Sequence, residues 1–123
     1  KLCSGIRFFI SSDYAIEIVT PKEFLPSNAA ILPCEYLTEI PEDDISNNFY
    51  IIASAGPEQK VSIDLQSKRL GWCYDSFWDV HATPDSEVLS HSFTELLKNI
   101  YQNKGAYWFW LQEGFKKLGG AYD

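Results

Sequence analysis

Two long stretches of this chain contain no lysine or arginine. Positions 23–59 hold seven acids and no basic residue, with Glu42, Asp43 and Asp44 adjacent, and positions 70–97 hold five acids and again no basic residue. Contact with a phosphate backbone needs clustered Lys and Arg to displace counterions, so this charge map excludes direct nucleic-acid binding. The net charge of −7 fits either a solvated acidic surface or one matched to a basic partner. No apolar run approaches the ~18 residues of a membrane span, and no charged-then-apolar signal segment stands at Lys1, so a soluble, cytoplasmic protein without a membrane partner is expected. Cys3, Cys34 and Cys73 are odd in number and form no C-x-x-C, which argues against a disulfide framework and for reduced, mostly buried thiols. The glycines are scattered, with no G-x-G-x-x-G or Walker pattern to cradle a phosphate, and there is no G-x-S-x-G turn to present a nucleophile. No cofactor is expected.

The 123 residues suit a single domain, 1–123, and 46% hydrophobic content is too rich for disorder. A chain of this size buries about two-thirds of its unfolded surface. GIRFFI and YAIEIV, separated by Ser11, Ser12 and Asp13, read as a β-hairpin. TPKEFL opens a helix: Thr20 and Glu23 form a capping box, Pro21 suits the first position, and Val19 and Phe24 are spaced as a hydrophobic staple, with Pro26 limiting its length. Residues 27–48 read as a long connection with one helical turn around Glu35 to Glu39. NFYIIAS and KVSIDL are strands on either side of a Gly56-Pro57 turn, and LGWCYD is a third strand with Leu70, Trp72 and Tyr74 on one face. SFTELLKNIYQNKG is an amphipathic helix with Ser92 and Glu95 as its capping box. Phe93, Leu96, Leu97, Ile100 and Tyr101 form its apolar stripe, and Gly105 its stop. YWFWLQEGFKKLGGAYD offers one more short helix before Gly119-Gly120.

The chemistry concentrates in GWCYDSFWDVHATPD (71–85), which carries four aromatics, three aspartates and one histidine. Asp75, Asp79, His81, Asp85 and His91 are metal-ligating types, yet none forms the i, i+4 helical pair or has the thiolate partner of a built site, and solvated loop carboxylates explain them equally. Asp79 and His81 could orient one another as an acid–base pair acting on a small ligand, but the same pair occurs on ordinary loops. A recognition face fits the composition better. Trp and Tyr supply stiff contact area and carboxylates select a cationic partner, so Trp72, Tyr74, Asp75, Phe77, Trp78, Asp79, His81 and Asp85 are the candidate partner-binding residues, with about half of the stretch serving the core.

The order YAIEIVTPKEFL, EYLTEIPEDD, FYIIASAGPEQKVSIDL, LGWCYDSFWDVH and SFTELL resembles the SUKH superfamily, named in part for the fungal Smi/Knr cell-wall regulators. Ile52-Ala53, Gly56, Ile63-Asp64-Leu65, Trp78-Asp79 and Ser92-Phe93-Leu96-Leu97 fall at the matching places. Val80 separates Asp79 from His81 where the family has them adjacent, and Gly56-Pro57-Glu58 replaces a glycine cluster. The family's opening helices have no counterpart before Lys1, so a single SUKH-like domain is expected that is either a fragment or a shortened variant of the family's pattern. The resemblance implies an α+β fold, a twisted, mostly antiparallel sheet with helices packed on it, and no enzymatic activity. It further implies an immunity protein that neutralises a cognate bacterial toxin, such as a basic nuclease, or alternatively a regulatory or scaffold interaction module.

Overall fold

The computed structural model describes residues 7–11, 14–55, 58–103, 108–111 and 114–123, with side chains from 16 onward. Six strands, β1 (Arg7–Ser11), β2 (Tyr14–Ile18), β3 (Phe49–Ser54), β4 (Lys60–Asp64), β5 (Cys73–Asp75) and β6 (Val88–Ser90), pair in chain order. Every neighbouring pair is antiparallel. With helices α1 (Ser27–Ile31), α2 (Cys34–Leu37) and α3 (Phe93–Gln102), this is the expected α+β arrangement. The hairpin of β1 and β2, the strands β3 and β4 and the helix α3 all stand where the two-residue and 3.6-residue periods place them. The turn at Ser12-Asp13, the turn at Gly56-Pro57, the Gly105 stop and Cys3 lie outside the described residues.

Because side chains alternate across a strand, the sheet has two different interiors. On one face Ile16, Ile18, Ala53, Val61, Cys73 and Leu89 pack with Leu96 and Ile100 of α3 and with Trp108, Phe109 and Trp110. The Trp rings of 108 and 110 lie 4.8 Å apart, and Phe77 meets both edge-on at 5.5 and 5.8 Å. On the other face Phe49, Tyr74, Val88 and Ala121 form a smaller apolar cluster beside Ile45, Trp72 and Tyr122. The outer edge of β6 is covered by the tail: the Val88 amide donates to the Gly119 carbonyl at 2.9 Å and the Ala121 amide to that of Ser86 at 2.7 Å. Arg69 holds the tail from the β4–β5 turn, donating to the Ala121 carbonyl at 2.6 Å and the Asp123 carbonyl at 3.2 Å.

Several local expectations are corrected. TPKEFL makes a single 3-10 turn, Pro21–Glu23, with Glu23 accepting from the Thr20 amide at 3.1 Å. Pro26 arrives too soon for a helix, and the chain instead resumes pairing with β3 through Pro26 and Tyr50. The long connection contains α1, α2 and a 3-10 turn, Ile45–Asn48. LGWCYD is a strand only from Cys73, because Ser67–Arg69 is a 3-10 turn and Gly71 has φ of 91°, which ends extended geometry and leaves Leu70 in solvent. Cys34 is an exposed thiol, whereas Cys73 is buried and its thiol is pushed up to about 12 by that burial.

In α3 the Glu95 amide donates to Ser92 Oγ at 3.0 Å, and the Glu95 carboxylate accepts in return from the His91 amide at 2.7 Å. Leu96 and Ile100 are buried, Phe93 and Leu97 are half-buried, and Tyr101 is exposed, so the buried stripe is narrower than the sequence pattern. Removing a fully buried leucine costs about 2 to 5 kcal/mol. Leu96→Ala is therefore expected to lower unfolding free energy within that range and Leu97→Ala clearly less. Equal losses in denaturant unfolding would place the helix in a different rotation on the sheet.

Candidate functional site: an acidic aromatic loop on a buried polar network

The eight sequence candidates separate into three groups. Trp72 stands at one end of β5, half-buried, with its ring 4.5 Å from His91 and Arg69 5.0 Å over it. Tyr74, Asp75 and His81 are buried, at 0%, 7% and 3% exposure, and so lie beneath the surface. At the other end of β5 the loop 77–86 carries Trp78, 48% exposed, together with exposed Asp79 and Asp85, and half-buried Phe77 roots it in the Trp108 and Trp110 cluster. Only this last group brings an exposed aromatic and carboxylates into one loop, and its Trp78 amide donates to the Glu58 carbonyl at 2.9 Å.

The loop's shape is set by its own hydrogen bonds. The amides of Val80 and His81 donate to the Phe77 carbonyl at 3.0 and 2.9 Å, the Thr83 amide to that of Val80 at 3.1 Å, and Ser86 Oγ to the Asp75 carbonyl at 2.6 Å. Ala82 has φ of 58°, a left-handed conformation that disfavours a residue with a Cβ.

Underneath, one hydrogen-bond chain joins the loop to β4, β5, α1 and the tail. Asn28 donates through Nδ2 to Ser46 Oγ at 3.0 Å and Asn47 Oδ1 at 3.3 Å. Its Oδ1 therefore accepts, and His81 Nε2 donates to it at 2.7 Å. The neutral imidazole has no proton left for Nδ1, which accepts from Ser76 Oγ at 3.0 Å. Ser76 in turn accepts from Ser62 at 2.6 Å, and Ser62 from Ser27 at 2.7 Å. At the other end Ser46 Oγ donates to Asp44, whose Oδ2 also accepts from Tyr122 at 2.7 Å. No buried side-chain nitrogen or oxygen among the described residues lacks a partner. Sequence reasoning missed Ser27, Asn28, Asp44, Ser46, Ser62, Ser76 and Tyr122. Each polar residue stood in a segment read as loop or strand, and no period marks which of them turns inward.

Burial of the His81 ring pushes its pKa down to about 4, with Asp44 pulling the other way. Asp75 sits across the sheet, accepting from the Phe77 amide at 3.0 Å and Trp110 Nε1 at 3.2 Å. Its own burial still pushes it up to about 6. For Asp44, burial raises the pKa, but the hydrogen bonds from Ser46 and Tyr122 outweigh it and hold the carboxyl below its usual range. A serine, an imidazole and an amide in line suggest a general-base relay. Ser76 is 0% exposed and its hydroxyl proton is directed into the protein, so this one is a structural seam that no substrate atom reaches. The Asp79–His81 acid–base pair is not formed, because Ser76 and Asn28 occupy both ring nitrogens. Among the described residues no group of three or more His, Cys, Asp or Glu side chains is placed to hold a metal ion, and no helix is long and apolar enough to cross a membrane.

Comparison with known proteins gives one clear relationship. Over 122 residues, 98% of this chain, the sequence is 39% identical to immunity protein YokJ of Bacillus subtilis (strain 168), covering 71% of that protein. No family model and no solved structure matches the chain.

His81 and Asp75 have opposite effects on stability. The folded-state pKa of His81 is lowered from 6.5, so its stabilising contribution is complete above that value and is lost as pH falls toward 4. The folded-state pKa of Asp75 is raised from 3.8, so its contribution is present in acid and is lost as pH rises through 6. With about 1.4 kcal/mol per pKa unit, Asp75→Asn should lose about 2 kcal/mol of unfolding free energy between about pH 7 and pH 5. His81→Gln should gain about 1 kcal/mol over the same range. Denaturant titrations at both pH values test this, and slopes of the same sign in the two variants would refute the assignment.

Proposed function

Because this chain belongs to the family of immunity protein YokJ, we propose that it is an immunity protein, a non-enzymatic cytoplasmic inhibitor that neutralises a cognate toxin by binding it. The observation that carries this reading is 39% identity sustained over 98% of the chain. The resemblance of the motif order to the SUKH superfamily supports the same role and is consistent with the antiparallel α+β fold.

The proposed contact surface is the loop 77–86 with its neighbour Glu58. Trp78 is the anchor and Asp79, Asp85 and Glu58 are the rim charges; all four are exposed. An anchor of this kind gives up little conformational entropy on binding, while rim carboxylates steer a cationic surface into contact. The partner this chemistry selects is a basic protein, such as a nuclease with a cationic cleft. Tyr74, Asp75 and His81 would act from below, by shaping the surface, and Trp72 lies at the opposite end of β5.

Co-expressed with the protein encoded beside it, the chain is expected to co-purify with that protein and suppress its toxicity. Asp79→Lys combined with Asp85→Lys should slow association, and the difference should shrink as salt shortens the Debye length from about 10 Å at 0.1 M to about 3 Å at 1 M. Trp78→Ala should instead speed dissociation at every salt concentration, costing about 2 kcal/mol or more. Toxin binding that survives both changes would remove this loop from the interface, and failure to bind the neighbouring product would overturn the immunity assignment.

A further inference from the structure

We propose that His81 and Asn28 are positioning residues for the loop 77–86: the buried hydrogen-bond chain latches the loop while the imidazole carries one proton, and a second proton on the ring releases it. The polarity of the chain carries the argument. With Nε2 donating to Asn28, the only other ring nitrogen is an acceptor facing the Ser76 hydroxyl at 3.0 Å. An added proton makes Nδ1 a donor toward Ser76 Oγ, so the run of Ser76, Ser62 and Ser27 then holds one hydroxyl proton more than the described hydrogen bonds give acceptors for. A buried donor without an acceptor is costly, and moving His81 away from the seam removes it.

The surroundings offer the imidazolium little compensation. The 3-10 turn at Ile45–Asn48 is preceded by Asp44, which pulls toward the charged ring but acts across Asn28 and Ser46 and is already bonded to Ser46 and Tyr122. Tyr122 is the titratable group that the tail brings. α1 contributes Ser27 and Asn28, both neutral, and β3 contributes the Phe49 ring at 6.5 Å. β4 brings Ser62, the residue after β5 is Ser76, and the two strands bring the Tyr74–Asp64 pair, whose hydroxyl and carboxylate bond each other at 2.6 Å. Asp75 faces the opposite side of the sheet, bonded to Trp110, and the loop's own Asp79 and Asp85 are exposed. The left-handed Ala82 stores strain that opening relieves. Opening of the loop leaves Asp75 in the sheet, so the compensation that Asp75 gives against global unfolding is absent here.

The consequence that acid disperses Trp78, Asp79 and Asp85 as a binding face rests on the proposed toxin-binding role; the latch itself does not. Hydrogen exchange of the partner-free chain tests the latch directly. Relative to intrinsic rates, protection of the Trp78, Val80, His81 and Thr83 amides should fall about thirtyfold from about pH 7.5 to about pH 5, as follows from a ring pKa of 6.5 in the open loop and about 4 in the closed one. The amides of β3 and β4 should change far less, and His81→Gln should abolish the drop. Equal protection at both pH values, or the same drop in His81→Gln, would overturn the proposal. Should His81→Gln fail to fold, nitrogen chemical shifts of the chain's two histidines decide instead. An Nε2–H tautomer for His81, titrating together with the loss of protection, supports the latch, and an Nδ1–H tautomer refutes it. Loss of protection while the co-purified toxin stays bound at about pH 5 would uphold the latch and remove this loop from the toxin interface.

Discussion

The polarity of the buried chain beneath the exposed loop depends on one hydrogen bond, from Nε2 of His81 to Oδ1 of Asn28 at 2.7 Å. That contact decides the tautomer of the ring, the tautomer decides which way the Ser76 hydroxyl points, and the hydroxyls of Ser62 and Ser27 follow in sequence. A buried polar chain is favourable only when every member is satisfied, and each group left unmatched costs about 1 to 3 kcal/mol. An apolar seam of the same size would tolerate several loop conformations at similar energy. In this one every buried polar side-chain group among the described residues has a partner, and with His81 neutral the hydroxyls run in a single direction.

The same reasoning changes the meaning of the net charge. Of the acids in the two stretches without lysine or arginine, Asp44 and Asp75 are committed to internal hydrogen bonds, as is Asp64 just outside them, to Tyr74 and the Gln66 amide. A partner therefore meets a smaller and more localised charge than −7 suggests. The carboxylates that remain exposed, among them Glu58, Asp79 and Asp85, are the ones able to steer an encounter, because exposed charges keep their field in solvent while Asp44 and Asp75 are held in internal hydrogen bonds.

What the sequence made legible follows from repetition. β3 reads buried and half-buried alternately, and α3 carries two complete signals, a capping box and a stripe, so both could be placed from residues alone. α1 spans five residues and buries Ser27 and Asn28 rather than a hydrophobic side chain, and β6 spans three, too few for any period to show. The composition of the stretch 71–85 could not separate exposed residues such as Trp78, Asp79 and Asp85 from buried ones such as His81, which faces α1. His81 illustrates the limit: its neighbours in the chain are loop residues, whereas its bonding partner Asn28 lies 53 positions away. Direction in a loop is set by the tertiary partner, and one sequence without its fold does not contain that distance.

Preorganisation connects the seam to the proposed role. An inhibitor that must stop a toxin quickly cannot depend on ordering a loop at the moment of contact, since each flexible side chain fixed on binding costs about 0.5 to 1.5 kcal/mol and each backbone residue about 1 to 2. Here the ordering is done during folding. Phe77 is gripped by two tryptophans on one face of the sheet, Ser86 is tied to Asp75, and His81 is held from the other face by α1, so the loop is fixed at both ends and in its middle. Trp78 and the two aspartates are exposed on that loop, and under the proposed role affinity would depend on how well a partner's surface fits a shape that already exists.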